Sequence, residues 1–340
     1  MATLKDVAQR AGVSLTTASI VANGRGEEKH ISPATIERVA TVIEALGYHP
    51  NQNAQQLRAK NARQPVIAFY WPLDYRANML GIRLVNLHSV LLEQELNYEI
   101  VVQTYFNNQL ERFLPPLQDG RYTGAIIAGA SDQDMVQLES TKITVPVILI
   151  NLESRKYSTV GVSHAQMGAQ AAALLHKKGY QECAVVKSME RYGGTARRTK
   201  AFLYSCKQLG ITVRPEWTFS APATILGGVQ ATEEFCALTE RPGVIFYETD
   251  CMAQGGLYTL QRRRIAVPGD IELLSIGVQE PETMQYLTPS ISCVTVPPNV
   301  DKQAMSIMIR ILQEHPEEPL HLELEPLIQL RESFTLPSPL

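Results

Sequence analysis

The sequence predicts a small all-helical N-terminal domain followed by an α/β domain in which helices cover two parallel sheets. Three observations support this prediction. Residues 1–60 contain three short segments with helical periodicity, the chain from Pro65 onward alternates apolar runs with amphipathic segments, and this alternation occurs twice in succession. Apolar runs separated by helices are typical of parallel sheets, which are buried on both faces.

The first two predicted helices are short and closely spaced. The first has an apolar face formed by Leu4, Val7, Ala8 and Ala11. Gly12 ends this helix, and Thr3 with Asp6 resembles a capping box at its start. Ser14 can cap a second helix over residues 15–21. Because the turn is so short, the helices must cross steeply, as they do in a helix-turn-helix motif.

A third helix is predicted to brace this pair. It begins at Ser32 and Pro33, a capping residue followed by proline at the first helical position. Its expected apolar face consists of Ile36, Val39, Ala40 and Ile43. The segment NQNAQQLRAK, residues 51–60, has one large apolar residue, Leu57, and is too short to be a stable helix alone.

Residues 1–60 resemble the headpiece and hinge helix of the lactose-repressor/purine-repressor family of bacterial transcription regulators. The segments that carry the resemblance are TLKDVAQRAGVS, ISPAT, GYHPN and AQQLR. The resemblance implies an all-α helix-turn-helix headpiece over residues 1–49, a hinge over 50–61, and an α/β type I periplasmic-binding-protein-like sensor domain over 62–340. It places two doubly wound parallel-sheet lobes in that domain, residues 62–160 plus 291–318 and residues 161–290 plus 319–340.

The family pattern nominates residues that contact DNA. The second helix of a helix-turn-helix lies in the major groove, and by position Leu15, Thr16 and Ile20 take its base-facing sites. Of these, Thr16 can form hydrogen bonds, whereas Leu15 and Ile20 can contact thymine methyl groups. An alternative places Ile20 in the three-helix core. The remaining DNA-binding candidates are Thr3, Ser14, Thr17, Ser19, Asn23, Asn51, Ala54, Leu57 and Arg58.

Leu57 has a particular role in this resemblance. The matching leucine of the family enters the minor groove at the operator centre and bends the duplex. The hinge is therefore expected to become helical when two copies pack together over DNA. The alternative is a leucine that docks on the sensor domain. Because one headpiece covers few base pairs, the expected species is a homodimer on a pseudo-palindromic operator.

The predicted elements of the α/β domain form two sets. The strands are VIAFYW, YEIVVQTY, GAIIAGA and PVILIN, then CAVVK, EWTFS, GVIFYE and IELLSIG. The helices are MLGIRLVNLHSVLLEQEL, LERFLPPLQ, TARRTKAFLYSCKQLG, VQATEEFCAL and CMAQGGLYTLQRRR. Open α/β sheets bind ligands beyond the carboxyl ends of their strands, so paired lobes offer a cleft for an effector. The resemblance implies that the chain crosses between lobes near Val160, Ser290 and Pro319.

Position-by-position matching nominates effector contacts in this cleft. Arg198 in RTKAF resembles the effector-binding arginine of the family's R-x-x-G-F segment, with Arg197 as the alternative register. Tyr70, Trp71 and Asp74 lie at and after the end of the first strand. A role in the core is the alternative for Tyr70 and Trp71. The remaining candidates are Phe219, Thr249 and Gln279.

Two departures from the family pattern bear on the ligand. Thr249-Asp250 stands where many sugar-binding members have Asn-Asp, and Gln279 stands where they have aspartate. Asp and Asn suit the recognition of sugar hydroxyls, so an ordinary hexose is not favoured. A sugar derivative stays one possibility, and the class of the small-molecule effector is left open.

Composition limits the remaining functions. The formal net charge is −3, although residues 1–60 carry seven basic against five acidic residues. The seven histidines lack metal-ligand spacing, and no phosphate-binding loop occurs, so we expect neither an enzyme nor a metal or other cofactor. The five cysteines lack C-x-x-C spacing, and no leader or long apolar run is present, which favours a cytoplasmic protein without a membrane segment.

These observations predict a sequence-specific DNA-binding transcriptional regulator, expected to be a repressor. Its expected partners are a double-stranded DNA operator, a small-molecule effector and a second copy of the chain. The alternative is a small-molecule-binding protein of the periplasmic-binding fold without a regulatory role.

Overall fold

The computed structural model describes residues 4–22, 31–46, 64–74, 76–190, 193–277 and 281–336, together with Gly26 and Lys29. It divides into two compact units, Met1–Gln64 and Pro65–Leu340. Thr3, Asn23, Gln279 and the whole predicted hinge, with Asn51, Ala54, Leu57 and Arg58, lie outside the described residues. Within the described ranges, no helix is long and apolar enough to cross a membrane.

The N-terminal unit contains the three predicted helices, α1 (Leu4–Ala11), α2 (Leu15–Ala22) and α3 (Pro33–Leu46). Gly12 ends α1 with a positive φ of 64°, a conformation that glycine adopts at little cost. Ser14 caps α2, because its Oγ accepts a hydrogen bond of 3.0 Å from the Thr17 amide. The core consists of Val7, Ala8, Ala11, Ala18, Val21 and Val39.

One residue of the predicted apolar face of α3 is corrected. Ala40 is exposed, whereas Val42 packs against the core beside Ile36 and Ile43. Position 42 lies three residues after the fully buried Val39 and so shares its side of the helix, while Ala40 lies at the edge of that stripe.

The second unit contains two six-stranded sheets with helices on their faces. The first sheet has the order β11-β5-β4-β3-β1-β2, and the second has the order β12-β10-β9-β8-β6-β7. Every strand pairing is parallel except that of β10 with β12, which is antiparallel. The doubly wound arrangement predicted from the alternating apolar runs is therefore confirmed.

The strands are β1 (Val66–Pro72), β2 (Glu99–Tyr105), β3 (Gly124–Ala128), β4 (Val147–Ile150), β5 (Ser158–Val162), β6 (Ala184–Ser188), β7 (Thr218–Ala221), β8 (Val244–Tyr247), β9 (Glu272–Gly277), β10 (Ser292–Thr295), β11 (His321–Leu324) and β12 (Leu327–Gln329). The helices are α4 (Leu80–Glu93), α5 (Pro115–Gln118), α6 (Asp132–Ser140), α7 (His164–Lys178), α8 (Gly193–Gln208), α9 (Ile225–Cys236), α10 (Asp250–Arg262), α11 (Pro281–Gln285) and α12 (Val300–Glu314). Short 3₁₀ helices cover Ala77–Met79, Leu110–Phe113 and Pro215–Trp217.

The structure corrects the predicted crossings between the lobes. Strand β5 keeps the chain in the first lobe to Val162, and β10 keeps it in the second lobe to Thr295, because β10 pairs with β9 and β12. Strand β11 returns to the first sheet, where it pairs with β5. The crossings therefore follow Val162, Thr295 and Leu324 rather than the predicted Val160, Ser290 and Pro319.

Helices α7 and α8 of the second lobe pack with direct backbone contact. A Cβ atom at Gly168 would lie 2.2 Å from the Arg198 carbonyl oxygen and 2.7 Å from the Phe202 amide nitrogen. Beyond this contact, Phe202 stacks on Phe246 of β8, with ring centroids 3.7 Å apart. The absence of a side chain at Gly168 thus sets how near α8 lies to α7.

We expect Gly168→Ala to reduce the free energy of unfolding by about 1–3 kcal/mol, because the added methyl group meets rigid backbone rather than a flexible side chain. The control is Gly81→Ala on α4, where an added Cβ has no neighbour within 4 Å. It should raise the stability by about 0.5–1 kcal/mol through helix propensity. Urea denaturation of both variants measures the difference. Equal stability of the two variants would contradict the close packing.

Candidate functional site

A cleft opens between the two lobes at the carboxyl ends of β1, β3 and β4. The first lobe contributes lining residues from the segments that follow these strands and from α4, and the second lobe contributes them from the starts of α7 and α8. Its polar and aromatic lining residues are Trp71, Arg76, Arg83, Asn151, His164, Thr195 and Arg198. This is the position at which open α/β sheets bind ligands.

Two of the predicted effector residues, Trp71 and Arg198, line this cleft. Arg198 is only 6% exposed and lies on α8, while Trp71 is 4% exposed and lies near the carboxyl end of β1. Arg197 is not among the lining residues, which favours Arg198 in the choice between the two registers.

The structure does not bring Tyr70, Phe219 or Thr249 to the cleft. Tyr70 precedes Trp71 on β1 and so points to the opposite face of the sheet, where its hydroxyl donates 2.8 Å to the Phe113 carbonyl. Phe219 packs edge-to-face on Phe235 of α9. Thr249 is fully buried and caps α10. These three are structural residues of their lobes.

Asp74 acts on the cleft through Arg76. The Nε of Arg76 donates 3.0 Å to Asp74 Oδ1, and its Nη2 donates 2.5 Å to Asp74 Oδ2 and 2.9 Å to the Gly129 carbonyl. Asn107 Nδ2 donates 2.8 Å to the same carboxylate. Burial opposes ionisation of Asp74, but the hydrogen bonds and charge of Arg76 outweigh it and lower its pKa. Asp74 thereby fixes the guanidinium of Arg76 at the cleft wall.

Arg83 of α4 is likewise held in place by a carboxylate. Its Nη1 donates 2.9 Å and 3.1 Å to the two carboxylate oxygens of Asp301, a fully buried residue in the first turn of α12. The guanidinium carbon lies 5.7 Å from the ring centroid of Trp71. The Nε of Arg83 is buried and has no hydrogen-bond partner among the described residues.

His164 joins the two lobes. Its Nδ1 lies 3.1 Å from Arg198 Nε, and its Nε2 lies 3.0 Å from the Asn151 carbonyl oxygen. Because an arginine Nε–H can only donate, Nδ1 accepts and Nε2 carries the proton that is donated to Asn151. Burial, followed by the charge of Arg198, lowers the pKa of His164 to about 3. The imidazole is therefore neutral, and both ring nitrogens are used inside the protein.

Arg197 forms a second connection between the lobes at the mouth of the cleft. From α8 it reaches Glu153, at 2.8 Å, and Asp132 at the start of α6, at 3.5 Å. All three side chains are exposed, so each ion pair contributes little free energy in water. These pairs therefore mark a polar contact between the lobes at the protein surface and stabilise it only weakly.

Five cleft residues were not predicted from the sequence. Asn151 directly follows the strand PVILI, so the polar residue at that strand end was a usable signal. Thr195 and His164 stand in the first turns of helices, and Arg76 and Arg83 look like ordinary solvated residues on their own segments. Their convergence depends on the folding of both lobes, which no local pattern in the sequence encodes.

In the N-terminal unit, Ser14 and Thr16 are exposed and Thr17 is half-buried, all at the start of α2. Ile20 is partly exposed and is not one of the core residues. The side chains of Leu15 and Ser19 lie outside the described part of the chain. The hydroxyls of Ser14 and Thr17 are hydrogen-bonded to each other at 2.9 Å, and Thr16 is the exposed threonine of the first turn.

A helix-turn-helix unit joined to a two-lobed domain with an interlobe cleft defines a regulator that has a periplasmic-binding-like domain. Residues 172–334 match the family model of the periplasmic binding protein-like domain, and residues 3–51 match that of the bacterial regulatory proteins, lacI family. A LacI family transcription regulator from Clostridium acetobutylicum has a similar crystal structure, with a TM-score of 0.75 and 30% identity, covering 79% of this chain and 100% of that one. The chain belongs to the LacI family of bacterial regulatory proteins, as residues 1–60 predicted.

Two further relatives extend over nearly the whole chain. Catabolite control protein A of Priestia megaterium is 26% identical over 342 residues, which cover 97% of this chain and 98% of that protein. The crystal structure of the lac repressor dimer bound to operator and the anti-inducer ONPF has the same fold, with a TM-score of 0.70 at 19% identity and 98% coverage of both chains.

The neutral His164 predicts a dependence of stability on pH. Its pKa is lower in the folded chain than in the unfolded chain, about 3 against 6.5, so the unfolded chain binds the extra proton between these values. Stability is therefore lost as the pH falls through 6.5. Between pH 7 and pH 5 this group should cost about 2 kcal/mol.

We expect His164→Gln to show a loss of unfolding free energy between pH 7 and pH 5 that is smaller than the wild-type loss by this amount. His176→Gln, at an exposed histidine of the same helix, is the control and should keep the wild-type loss. Chemical denaturation at both pH values provides the measurement. An unchanged pH dependence in His164→Gln would show that this histidine is not held neutral.

Proposed function

We propose that this protein is a cytoplasmic, sequence-specific transcriptional repressor that binds a pseudo-palindromic operator as a homodimer and is controlled by a small molecule in the interlobe cleft. The observation that carries this proposal is a cleft lined from both lobes in a chain that begins with a lacI-family helix-turn-helix. The alternative, a small-molecule-binding protein without a regulatory role, leaves the helix-turn-helix without a function.

DNA recognition is proposed to begin at the N-terminus of α2. Ser14 closes the first turn of this helix, and the exposed hydroxyl of Thr16 is available to a base edge. The related lac repressor was crystallised as a dimer on its operator, which supports the same assembly here. Leu57 keeps its proposed role as a minor-groove wedge in the hinge.

The effector is proposed to change the angle between the lobes and thereby the arrangement of the hinge. A ligand can shift such an equilibrium only by binding one lobe arrangement more tightly than the other. Contacts that span the lobes give the cleft this property, because Asn151, His164 and Arg198 meet across it. The same observation supports binding rather than catalysis, since the cleft histidine has no ring nitrogen left for proton transfer.

Thr16→Ala should weaken binding to the preferred operator about fivefold to tenfold for each half-site, the effect of one lost hydrogen bond. The operator is first selected from random duplexes with the wild-type protein, and affinities are then measured by fluorescence anisotropy at one salt concentration. Thr41→Ala is the control, because Thr41 is an exposed residue of α3 whose hydroxyl bonds to the Glu37 carbonyl. Failure of the wild-type chain to enrich any sequence would contradict the proposed function.

The homodimer is proposed to use the exposed stripe of α4. The other apolar face of α4 belongs to the core, because Leu87, Val90 and Leu91 are buried and Leu84 packs against that core. The exposed apolar residues of α4 are Ile82, Val85 and Leu92. Their spacing places them on one side of the helix, opposite the core.

Sedimentation equilibrium of the wild-type chain at micromolar concentration should give the mass of a dimer. We expect Val85→Glu to weaken the dimer at least tenfold, because a glutamate would be buried without a partner. Val136→Glu on α6 is the matched control, since Val136 is 67% exposed and Val85 is 63% exposed. A monomeric wild-type chain, or equal effects of the two substitutions, would contradict this interface.

A further inference from the structure

We infer that the cleft binds an anion, a small molecule whose carboxylate or phosphate group is held by Arg76, Arg83 and Arg198. This inference rests on the proposed role of the cleft as the effector site and adds the chemical class of the effector. The three arginines line one cavity, and none of its described lining residues is an aspartate or a glutamate.

The hydrogen-bonding groups of the cleft wall favour a ligand that accepts hydrogen bonds. Arginine side chains carry donors only, whereas a sugar hydroxyl both accepts and donates and needs an acceptor for its proton. The ionised oxygens of carboxylate and phosphate groups only accept, and they match the planar fork of a guanidinium. A wall with three arginines therefore complements an anion better than a neutral polyol.

Three acceptors at the cleft wall are already engaged within the protein, which leaves the hydroxyl of Thr195 as a side-chain acceptor among the described lining residues. His164 Nδ1 accepts from Arg198, and the Asn151 carbonyl accepts from His164. The side-chain oxygen of Asn151 accepts a hydrogen bond of 3.2 Å from the Val162 amide. Few sites remain for the hydroxyl protons of a hexose.

Two of the arginines form ion pairs with carboxylates that do not line the cleft. Asp74 forms an ion pair with Arg76, Asp301 forms one with Arg83, and neither carboxylate lines the cavity. The arginines are thereby held in place before a ligand arrives, so little side-chain entropy is lost on binding.

Arg83 supplies an independent observation. Its Nε–H is buried without a hydrogen-bond partner among the described residues, and an unsatisfied buried donor on a charged group is unfavourable. This donor is spare hydrogen-bonding capacity on a side chain that lines the cavity. The face of Trp71, against which Arg83 packs, and the apolar residues Met79 and Leu152 leave space for the carbon skeleton.

The test uses the full-length protein and matched ligand sets. Glucose and galactose are compared with gluconate, galactonate, glucuronate, galacturonate and the two hexose 6-phosphates, first by thermal shift and then by calorimetry. At least one anion should raise the melting temperature and bind at least 100-fold more tightly than its neutral parent. Its affinity should fall as NaCl is raised. Inorganic phosphate alone is included to show whether the phosphate group suffices without a sugar.

The variant that tests the arginines is the double substitution Arg83→Met with Asp301→Asn, which avoids leaving Asp301 as a buried unpaired charge. It should lose at least tenfold in affinity for the anion that binds the wild-type protein. Its melting temperature without ligand reports whether it is folded, and Arg76→Met with Asp74→Asn provides the same test at the neighbouring arginine. Arg310→Met is the control, because Arg310 is an exposed residue of α12 paired with Glu314.

Three results would overturn the inference. These are a neutral sugar that binds as tightly as its acid or phosphate, a panel in which no anion binds, and folded double variants that bind the anion as tightly as the wild-type protein. None of them affects the selection of an operator by the wild-type chain, so failure of this inference is distinguishable from failure of the proposed function.

Discussion

The hydrogen bonds of His164 are the interaction on which the two-lobed domain depends. One neutral ring accepts from Arg198 of its own lobe and donates to the Asn151 carbonyl of the other lobe. This arrangement requires burial, because a protonated ring would place two cations side by side. It also requires Gly168, since the contact between α7 and α8 brings Arg198 within reach of His164. The buried hydrogen bonds of this neutral ring connect the two walls of the cleft directly.

Much of the fold was predictable from the sequence, because its signals are local. The apolar runs of β1, β3 and β8 and the periodicity of α1 specify their elements with little help from the rest of the chain. Strands β5, β10 and β11 and helices α6, α7, α11 and α12 were not predicted. Strand β5, STVGV, is short and contains polar residues, while α7 is rich in alanine, which weakens the contrast between its faces.

The cleft was predicted in position but only partly in composition. Trp71 and Arg198 were identified because the family pattern marks their segments. Tyr70 was predicted to contact the effector, but it lies one residue before Trp71 on β1. Successive side chains of a strand point to opposite faces of the sheet, so Tyr70 faces away from the cleft. Arg83 and Asp301 come from helices far apart in the sequence, 218 positions from one another, so no periodicity could have paired them. Contacts between residues this distant in the sequence depend on tertiary structure rather than on local sequence patterns.

The last crossing between the lobes limits how they can move. Strand β11 ends at Leu324 in the first sheet and β12 begins at Leu327 in the second, so Glu325 and Pro326 alone connect two sheet edges. Gln166 donates 2.6 Å to Glu325, and Pro326 has a fixed φ and also restricts the backbone of Glu325 before it. A connector this short reaches only about 3.5 Å per residue. The lobes therefore cannot separate at this edge, and any opening must be a rotation with its axis near the connector and its largest displacement on the far side of the cleft.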